Sequence, residues 1–343
     1  MLRIFSPKLS VLGLILVPVS GWGQTISFNL EDDLVEDLGV DPTALEEDLT
    51  ALIGEDLKLL DASEYLSEMA YATQLSLKGM GVDYASNPST FVVGGAVGSA
   101  SSGGASNLTR GGSLLPQGGF GAQLVLLAGL NLGQLVPGEA GALNNLVVYV
   151  NGMSMAIPSS YPFTGRLSNG GLHLQVKLGG PVKGPFVEWG GIDLTTGYEL
   201  STYTLSLDQA LPIGDEIGPI DMLWDATGSY TLSATSHSMP IEVSTNVRVT
   251  VLSLYGGLGI DLNDSSAVTQ ASLTGPVLGT VKDREHELGS GGVSFTDSGY
   301  GDGYTSRFFF GAQINITLLK LYGQMNLGNH DSFGGHLGVR IAL

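Results

Sequence analysis

The sequence predicts an all-β protein, a transmembrane antiparallel β-barrel of about 12 strands (roughly 10–14), preceded by a short acidic helical segment. Three observations predict this fold class. The last residues of the chain alternate between apolar and polar or small side chains, and two earlier hairpins repeat the same alternation. Glycine is abundant, with 51 copies among 343 residues. Finally, no apolar run is long enough to form a membrane-spanning helix.

The C-terminal strand is predicted over residues 333–343. Successive side chains of a strand point to opposite faces, so one face here is apolar and the other is polar or small. The apolar face comprises Phe333, Gly335, Leu337, Val339, Ile341 and Leu343. At ~3.3 Å per residue the stretch extends about 36 Å, and a tilt of about 40° lets it cover the roughly 25 Å apolar band of an outer membrane. This is the length expected of a closing barrel strand.

The chain is expected to divide into three parts. Residues 1–23 have the pattern of a signal peptide, with Arg3 and Lys8 flanking the start of a short apolar run that ends in small residues. Residues 24–88 are predicted to be an acidic helical segment in the periplasm or in the lumen, and residues 89–343 the outer-membrane β-barrel. Because the chain has no cysteine, we expect neither a lipoprotein anchor nor a disulfide-stabilised fold.

The acidic segment is predicted to contain two helices. Residues 25–70 carry fourteen acidic side chains and one base, Lys58. Asp41 and Pro42 predict the start of the first helix, because Asp caps helix N-termini and Pro fits the first turn. A second helix is predicted from Ser63 to about Lys78. The helices could plug the lumen, where their acids would repel anions or hold cations, or they could form a solvated pair that precedes the barrel. We favour the solvated pair.

Barrel strands are predicted from Ser89 onward, where the period of the apolar residues changes from helical to two. Before residue 240 they are expected at 91–97, 124–132, 146–156, 172–178, 186–194, 198–207 and 230–234, with a Ser/Gly-rich loop over 99–119. Four aromatic residues are more typical of the girdles at the membrane interfaces than of a ligand cage: Trp189, Trp224, Tyr203 and Tyr304.

An internal repeat indicates two equivalent hairpins. Residues 246–256 read N-V-R-V-T-V-L-S-L-Y-G, and residues 313–323 read Q-I-N-I-T-L-L-K-L-Y-G, at an offset of 67 residues. A tight turn at residues 252–253 would pair Val251 with Leu254. That register keeps the apolar residues of the hairpin on one face, which a shift of one residue would not.

The second copy predicts the same arrangement. A turn at residues 319–320 would pair Leu318 with Leu321, and in the two copies Thr250 would face Tyr255 and Thr317 would face Tyr322 inside the barrel. Both turns lie on the side of the C-terminus, which is the periplasmic side of an outer-membrane barrel. Residues 263–303 are expected to form a long loop on the opposite side.

The inward positions of these strands carry amides, bases and aromatic residues. An apolar outer face combined with a polar inner face is the pattern of a membrane barrel around a lumen. The residues predicted to line the lumen are Asn246, Arg248, Tyr255, Gln313, Asn315, Tyr322, Gln324, Asn326, His336 and Arg340.

The residues from Ser89 to Leu343 resemble Gram-negative outer-membrane β-barrel proteins as a class, in their hairpin alternation and terminal strand. The stretch 254–259, L-Y-G-G-L-G, is similar to uncharacterised barrel families, and a helical segment ahead of a barrel loosely resembles barrels of the fatty-acid transporter type. The last residue of that class is usually aromatic, whereas here it is Leu343. The resemblance implies a location in the cell outer membrane, assembly by the barrel-assembly machinery and contact with outer-membrane lipid.

No motif in the sequence predicts an enzyme, a cofactor or a metal site. His173 and His336 are placed on inward faces, and His237, His286 and His330 in loops, without an Asn-His-Ser or Gly-x-Ser-x-Gly cluster. The acids Asp283, Glu285, Glu287, Asp297 and Asp302 could hold a divalent cation, but their spacing matches no calcium loop and favours a solvated surface loop. Two glycine-rich stretches precede no predicted helix, so they do not indicate a phosphate site.

The predicted function is a passive outer-membrane pore or transporter (a porin-like role) for small solutes or hydrophobic compounds. The alternative is a non-conducting structural or surface-recognition barrel, adhesin-like, whose lumen is filled. A third possibility is a secreted soluble β protein. The net charge of −19 argues against nucleic acid as a partner.

Overall fold

A computed structural model of the chain describes residues 25–31, 35–36, 41–57, 62–86, 90–104, 118–135, 141–157, 163–217, 220–281, 284–329 and 331–343. At residues 52–57, 215–217, 220 and 281 it describes the backbone alone. The predicted signal peptide and the predicted boundary at 88–89 lie outside these residues. Among the described residues, no helix is both long and apolar enough to cross a bilayer.

The described part of the chain contains two α-helices, α1 and α2, and thirteen β-strands, β1 to β13. The elements in chain order are β1 Thr25–Leu30, α1 Pro42–Leu57, α2 Ser63–Leu75, β2 Phe91–Ser102, β3 Gly119–Asn131, β4 Leu146–Ile157, β5 Phe163–Lys177, β6 Val182–Lys183, β7 Val187–Ile217, β8 Ile220–Val249, β9 Leu252–Val281, β10 Arg284–Tyr300, β11 Tyr304–Ile316, β12 Leu319–Gly328 and β13 Phe333–Ala342. Short 3₁₀ helices at Leu132–Leu135 and Gly141–Asn145 connect β3 to β4.

The strands form a closed antiparallel barrel. Neighbours around the ring are β2, β3, β4, β5, β7, β8, β9, β11, β12 and β13. The ring closes where the last strand pairs with the first, with Leu337 opposite Val97. Of the thirteen described strands, β1, β6 and β10 lie outside the ring, so the ring contains ten strands. The predicted fold class is confirmed, with a ring at the lower end of the predicted strand range in which each of the ten described strands pairs with a neighbour on both sides.

The outer wall is apolar, as the alternation predicts. On β13, Phe333, Leu337 and Ile341 are exposed on the outside, whereas His336 and Arg340 are buried inside. On β9, Leu258 is 65% exposed because a side chain facing lipid has no protein neighbour outside it. A closed sheet with this polarity satisfies its backbone internally and offers lipid an apolar surface.

Both predicted helix starts are confirmed, but the second helix is shorter than expected. The backbone N–H of Thr43 donates to Asp41 Oδ1 over 2.9 Å, which is the expected N-cap at the start of α1. The second helix, α2, ends at Leu75 rather than near Lys78. The chain leaves the helical conformation through a turn in which Gly79 has φ +82°, a conformation that favours glycine.

The turns of the two repeated hairpins lie two residues earlier than predicted. In the first copy Val249 pairs with Leu252 and Val247 with Leu254, so the turn falls at 250–251. In the second copy Ile316 pairs with Leu319, so the turn falls at 317–318. Because each residue changes partner by an even number of positions, every side chain keeps its predicted face.

The predicted inward pairs of threonine and tyrosine are therefore wrong. Thr250 and Thr317 are the first residues of the turns, with φ of 53° and 51°. Tyr255 instead faces Asn246, and Tyr322 faces Gln313. Two-residue hairpin turns use positive φ because it matches the twist of the flanking strands.

The long loop predicted over residues 263–303 is also wrong, because this stretch is mostly strand. β9 continues to Val281 and returns as β10, and β7 and β8 run without interruption through the segments predicted as shorter strands. The extended strands rise beyond the ring on the side opposite the C-terminus. β1 joins them by pairing with β10, for example Phe28 with Gly291.

These strand extensions and the two helices form a folded unit that we call the cap, consisting of the described residues within 25–70, 203–234 and 267–300. Its core includes Phe28, Leu45, Leu49, Leu66, Met222, Trp224, Leu273, Val277 and Phe295. Trp224 is 2% exposed, packs edge-on against Phe28 at 5.5 Å between ring centroids, and donates its indole N–H to the Gly275 carbonyl. The girdle position predicted for Trp224 is therefore wrong, because this indole lies in an apolar core.

Candidate functional site: the occupied lumen

The chain enters the lumen from the cap end and leaves it beside the C-terminus. Near the cap, Tyr71 Oη donates to Asn329 Oδ1 at 3.1 Å, in the turn between β12 and β13. Residues 76–86 then descend inside the ring, and we call them the lumen segment. At the opposite end the Thr90 N–H donates to the Leu343 carbonyl at 2.7 Å. The segment ahead of β2 therefore passes through the whole barrel.

Small residues in the wall make room for α2 at the cap end. A Cβ at Gly121 would lie 2.5 Å from the Ala72 carbonyl oxygen, and one at Gly119 would lie 2.1 Å from the Glu68 backbone. Glu68 also accepts a hydrogen bond from Ser102 Oγ. Because a side chain at either glycine would collide with helix backbone, the helix can approach β3 only where the strand lacks Cβ atoms.

The upper part of the lumen segment is held by a buried lysine. Lys78 is fully buried, and its Nζ lies 2.7 Å from Glu199 Oε2 on β7 and 3.2 Å from Asp261 Oδ1 on β9. Nζ also donates to Ser238 Oγ at 2.5 Å. An ammonium group removed from water requires such compensation by charge and hydrogen bonds. Lys78 thus ties the segment to three strands at once.

A second cluster extends this network across the barrel. Arg307 on β11 donates from Nε to Asp261 Oδ2 at 3.1 Å, from Nη1 to Asn326 Oδ1 at 3.1 Å, and from Nη2 to Glu242. The second oxygen of Glu242 accepts a hydrogen bond from the hydroxyl of Tyr84 at 2.6 Å. The guanidinium and its carboxylates therefore hold the lumen segment through Tyr84.

A third contact holds the lower part of the segment. Arg340 Nη1 lies 2.8 Å from Asp83 Oδ1 in an ion pair, and both side chains are almost completely buried. The guanidinium lies 3.5 Å from the centre of the Tyr322 ring, a cation–π arrangement. The same Asp83 oxygen accepts the N–H groups of Ala85 and Ser86, which turns the chain toward β2.

The structure places all ten predicted lumen residues on the inner side of the wall. Eight of them are buried: Asn246, Tyr255, Gln313, Tyr322, Gln324, Asn326, His336 and Arg340. Arg248 and Asn315 are half-buried at the end near the C-terminus, where Arg248 Nη2 donates to the Ser86 carbonyl at 3.4 Å. Several contact the chain itself: Gln313 Nε2 donates to Ser86 Oγ at 2.9 Å, and Asn246 Nδ2 donates to the Tyr84 carbonyl at 2.8 Å.

The favoured interpretation of the acidic segment, a solvated helix pair ahead of the barrel, is wrong for the part that follows α1. The helix α2 and the lumen segment are buried inside the barrel mouth and the lumen. Sequence reasoning also missed Lys78, Asp83, Glu199, Glu242, Asp261 and Arg307. A usable signal was present, because Glu199, Glu242, Asp261 and Arg307 are charged residues at inward positions of apolar strands, where a charge needs a partner.

The histidines are placed only partly as expected. His173 and His336 are buried inside, as expected of inward positions. His237 lies in β8 and His286 in β10, so their predicted loop positions are wrong, and His330 falls outside the described residues. His237 Nδ1 lies 2.6 Å from the Tyr198 hydroxyl on the outer wall. Among the residues with described coordinates, no group of three or more His, Asp or Glu side chains could hold a metal ion.

Solved structures similar to this chain include Gram-negative outer-membrane barrels, the class that the sequence resembles. The outer membrane protein Omp33 of Acinetobacter baumannii is 11% identical, with 75% of this chain and 99% of that chain covered and a TM-score of 0.26. The translocator domain of the autotransporter NalP from Neisseria meningitidis is 13% identical, with 88% and 97% covered and a TM-score of 0.30. A FadL homologue of Pseudomonas aeruginosa is 8% identical, with 80% and 97% covered and a TM-score of 0.24.

With TM-scores this low, the barrel assignment rests on the strand pairing of the chain itself. No curated protein matches the sequence. A family model described as Lsa36-like matches residues 29–343, which includes both helices, the lumen segment and every strand of the ring. The chain belongs to the Lsa36-like family.

Proposed function

We propose that the protein is a non-conducting outer-membrane β-barrel that holds a folded cap at the cell surface for recognition. The observation that carries this proposal is the burial of Lys78 between Glu199 and Asp261 inside the lumen. A solute would have to displace a paired charge from a site without water access, which is costly. Five of the polar wall residues that a pore would offer to a solute contact the lumen segment instead: Asn246, Arg248, Gln313, Asn326 and Arg340.

The outer wall and the turns support the proposed location and orientation. The apolar outer surface suits lipid, and the two-residue turns at 250–251 and 317–318 lie with the C-terminus on the side that is periplasmic in outer-membrane barrels. The cap is on the other side and would face the exterior. On α1, Leu45 and Leu49 are buried in the cap core while Glu46, Glu47 and Asp48 are exposed, so this helix presents an acidic surface.

Channel recordings test the proposal. The full chain, refolded into planar bilayers, is expected to show no open-channel steps. The double variant Lys78→Met/Asp83→Asn removes the two charges that hold the lumen segment and is expected to open intermittently. The matched control Lys183→Met removes an exposed lysine and should stay silent. Stable open steps from the full chain would contradict the proposal and restore the pore hypothesis.

A deletion provides a second variant if the double variant does not refold. Deleting residues 25–86 removes the cap helices and the whole lumen segment. A refolded barrel, recognised by heat-modifiable gel mobility, should then conduct. If this deleted barrel folds and remains silent, the lumen segment is not what closes the pore, and the proposal is wrong.

A further inference from the structure

The outer side of the cap sheet is lined by hydroxyl groups. On β8 the outward residues are Ser229, Thr231, Ser233 and Thr235, and the residues between them are buried in the cap. The outward positions 202, 204 and 206 on β7 and 294, 296 and 298 on β10 are again Ser or Thr. On β9, which lies between β8 and β10, positions 266 and 272 are Ser, position 268 is Val and position 270 is Gln. We call the outward residues of 202–208, 229–235, 266–272 and 294–298 the hydroxyl face.

The side chains of the hydroxyl face form rows across the strands. Ser233 pairs with Thr204 on β7 and with Val268 on β9, and Thr231 pairs with Ser206. The hydroxyl oxygens of Ser206 and Thr231 lie 3.1 Å apart. Neighbouring strands are about 4.8 Å apart, and successive residues on one side of a strand are about 6.6 Å apart. The hydroxyl face is therefore a regular two-dimensional array of hydroxyl groups.

Charge is nearly absent from the hydroxyl face. The chain has a net charge of −19, yet Asp208 is the only charged residue of this face. A surface that has only to stay soluble carries roughly 25–35% charged residues, so solubility alone does not account for this composition. Val268 is the only large apolar residue of the face, which therefore lacks the apolar centre of a protein–protein interface. Uncharged groups that both donate and accept hydrogen bonds match the hydroxyls of a saccharide.

The hydroxyl face continues the lipid-facing wall toward the cap. The apolar wall ends at a row of exposed side chains in which Leu262 pairs with Met239 and Tyr304. On β8, Thr235 lies four residues beyond Met239 and Ser229 lies ten residues beyond it. At ~3.3 Å per residue and a tilt of about 40°, the face extends from about 10 Å to about 25 Å beyond this row. Phospholipid head groups add only about 5–8 Å on each side of the hydrocarbon, so a lipid must carry a longer saccharide to reach the face.

From the composition and position of the face we propose that it binds the saccharide chains of glycolipids in the outer leaflet beside the barrel. Each hydrogen bond between two hydroxyl groups contributes little, because water competes for both partners. A saccharide whose lipid is inserted next to the wall is held at the face at a high effective concentration, so that many weak contacts act together. A free polysaccharide lacks this advantage. The inference names a ligand for the cap and rests on the membrane placement in the proposed function, but not on the absence of conductance.

Retention of glycolipid by the full chain tests the proposal. The refolded chain is immobilised in phospholipid–detergent micelles and incubated with smooth lipopolysaccharide, with deep-rough lipopolysaccharide, which lacks the long saccharide, or with polysaccharide freed from its lipid. We expect the chain to retain at least about fivefold more smooth than deep-rough lipopolysaccharide, and little free polysaccharide. Equal retention of the two lipopolysaccharides would show that only the lipid is bound and would overturn the proposal. Free polysaccharide that binds as well as smooth lipopolysaccharide would overturn the membrane source of the ligand.

Matched variants locate the binding surface. Ser233→Glu places a charged side chain in the middle of the hydroxyl face, and Thr50→Glu places the same side chain at an exposed position of α1. Ser233→Glu should lower the retention of smooth lipopolysaccharide severalfold, whereas Thr50→Glu should leave it unchanged. Thr204→Val/Thr231→Val is a second, uncharged variant that removes two hydroxyls, keeps residues suited to strands and should also lower retention. Equal retention by Ser233→Glu and Thr50→Glu, with native heat-modifiable mobility of both, would overturn the proposal.

Channel recordings on the same preparations separate this inference from the proposed function. Open steps from a chain that retains smooth lipopolysaccharide would overturn the proposed function alone. A silent chain that retains no more smooth than deep-rough lipopolysaccharide would overturn this inference alone. If the full chain is a dimer in detergent and Ser233→Glu makes it a monomer, the hydroxyl face contacts a second copy of the chain, and the saccharide assignment is wrong.

Discussion

Arg340 and Asp83 form a buried ion pair, with 2.8 Å between Nη1 and Oδ1, which joins the last strand of the barrel to the segment inside it. The pair connects the end of the ring to the chain that precedes its start. Both side chains are almost completely removed from water, so the pair is not a solvated surface contact.

The substitution Asp83→Asn is expected to destabilise the folded barrel by roughly 3–5 kcal/mol, because it leaves the Arg340 guanidinium buried without a counter-charge. Denaturant unfolding of the detergent-refolded chain, monitored by gel mobility, measures the change. Asp208→Asn, at an exposed position of β7, is the matched control and should change little. Equal unfolding midpoints for the two variants would show that the ion pair does not hold the lumen segment.

The depth of a lipid-facing position should determine the cost of a charge. Leu258 lies near the middle of its strand in the wall, where it pairs with Phe308 and Val243. Leu258→Arg is expected to cost ~2–4 kcal/mol. Val249 also faces outward, but it lies next to the turn at 250–251, so Val249→Arg should cost only about 0–1 kcal/mol. The yields of folded protein in liposomes compare the two variants, and a larger loss for Val249→Arg would contradict this membrane placement.

The cap should be separable from the ring by a core substitution. Trp224→Ala is expected to destabilise the cap by about 3–5 kcal/mol, as large-to-small changes in a packed core do. Leu223, its neighbour on the opposite face, is 37% exposed, so Leu223→Ala is the control with a smaller effect. Limited proteolysis should cut the cap of Trp224→Ala while its heat-modifiable mobility persists. Loss of that mobility would mean that the ring depends on the cap core.

The stability of the cap should fall at high pH. Burial raises the pKa of Tyr65 above its ordinary value of 10.0, with smaller contributions from Tyr230 and Tyr203. Burial also raises the pKa of Tyr203 and of Tyr230. Above about pH 10 the unfolded cap loses phenol protons that the folded cap retains, so folding becomes less favourable as pH rises, whereas below about pH 9 these groups add no pH dependence.

Proteolysis of the cap between pH 7 and 11 measures this effect, together with the ultraviolet absorbance of tyrosinate. Tyr65→Phe removes the phenol with the largest pKa change and should reduce the slope above pH 10. Phenols that ionise in the folded cap at their ordinary pKa would contradict the assigned burial.

The barrel hairpins could be predicted because a strand that faces lipid alternates apolar and polar residues. A register error of an even number of residues leaves each side chain on its correct face. The turns themselves could not be placed from the sequence. Val251 and Leu318 are apolar and fit the alternation of a strand, but in the structure they lie in the turns. Residues 263–303 resembled a loop because the side chains buried there, such as Ala267 and Ala271, are small. Their packing depends on helices that come from another part of the sequence.

The lumen network could not be predicted for a similar reason. Lys78 follows a segment dominated by acids and has no local partner that would mark it as buried. Its partners, Glu199 and Asp261, are more than a hundred residues away. Both acids occupy strand positions whose side chains point into the barrel, and only this indicated that they needed a counter-charge. The sequence alone did not show which base supplies that charge.

The cap is built from segments that are far apart in the sequence, and this affects how the chain folds. Val35, Leu45 and Leu66 are buried against Trp224, Val277 and Phe295, so the first segment of the chain has no core until the eighth to tenth strands exist. Closing loops of such length carries a large entropic cost before any contact is gained, and high contact order slows folding. We therefore expect an isolated fragment of residues 25–86 to remain unfolded, and we expect the cap and the lumen segment to form only after the ring strands have paired.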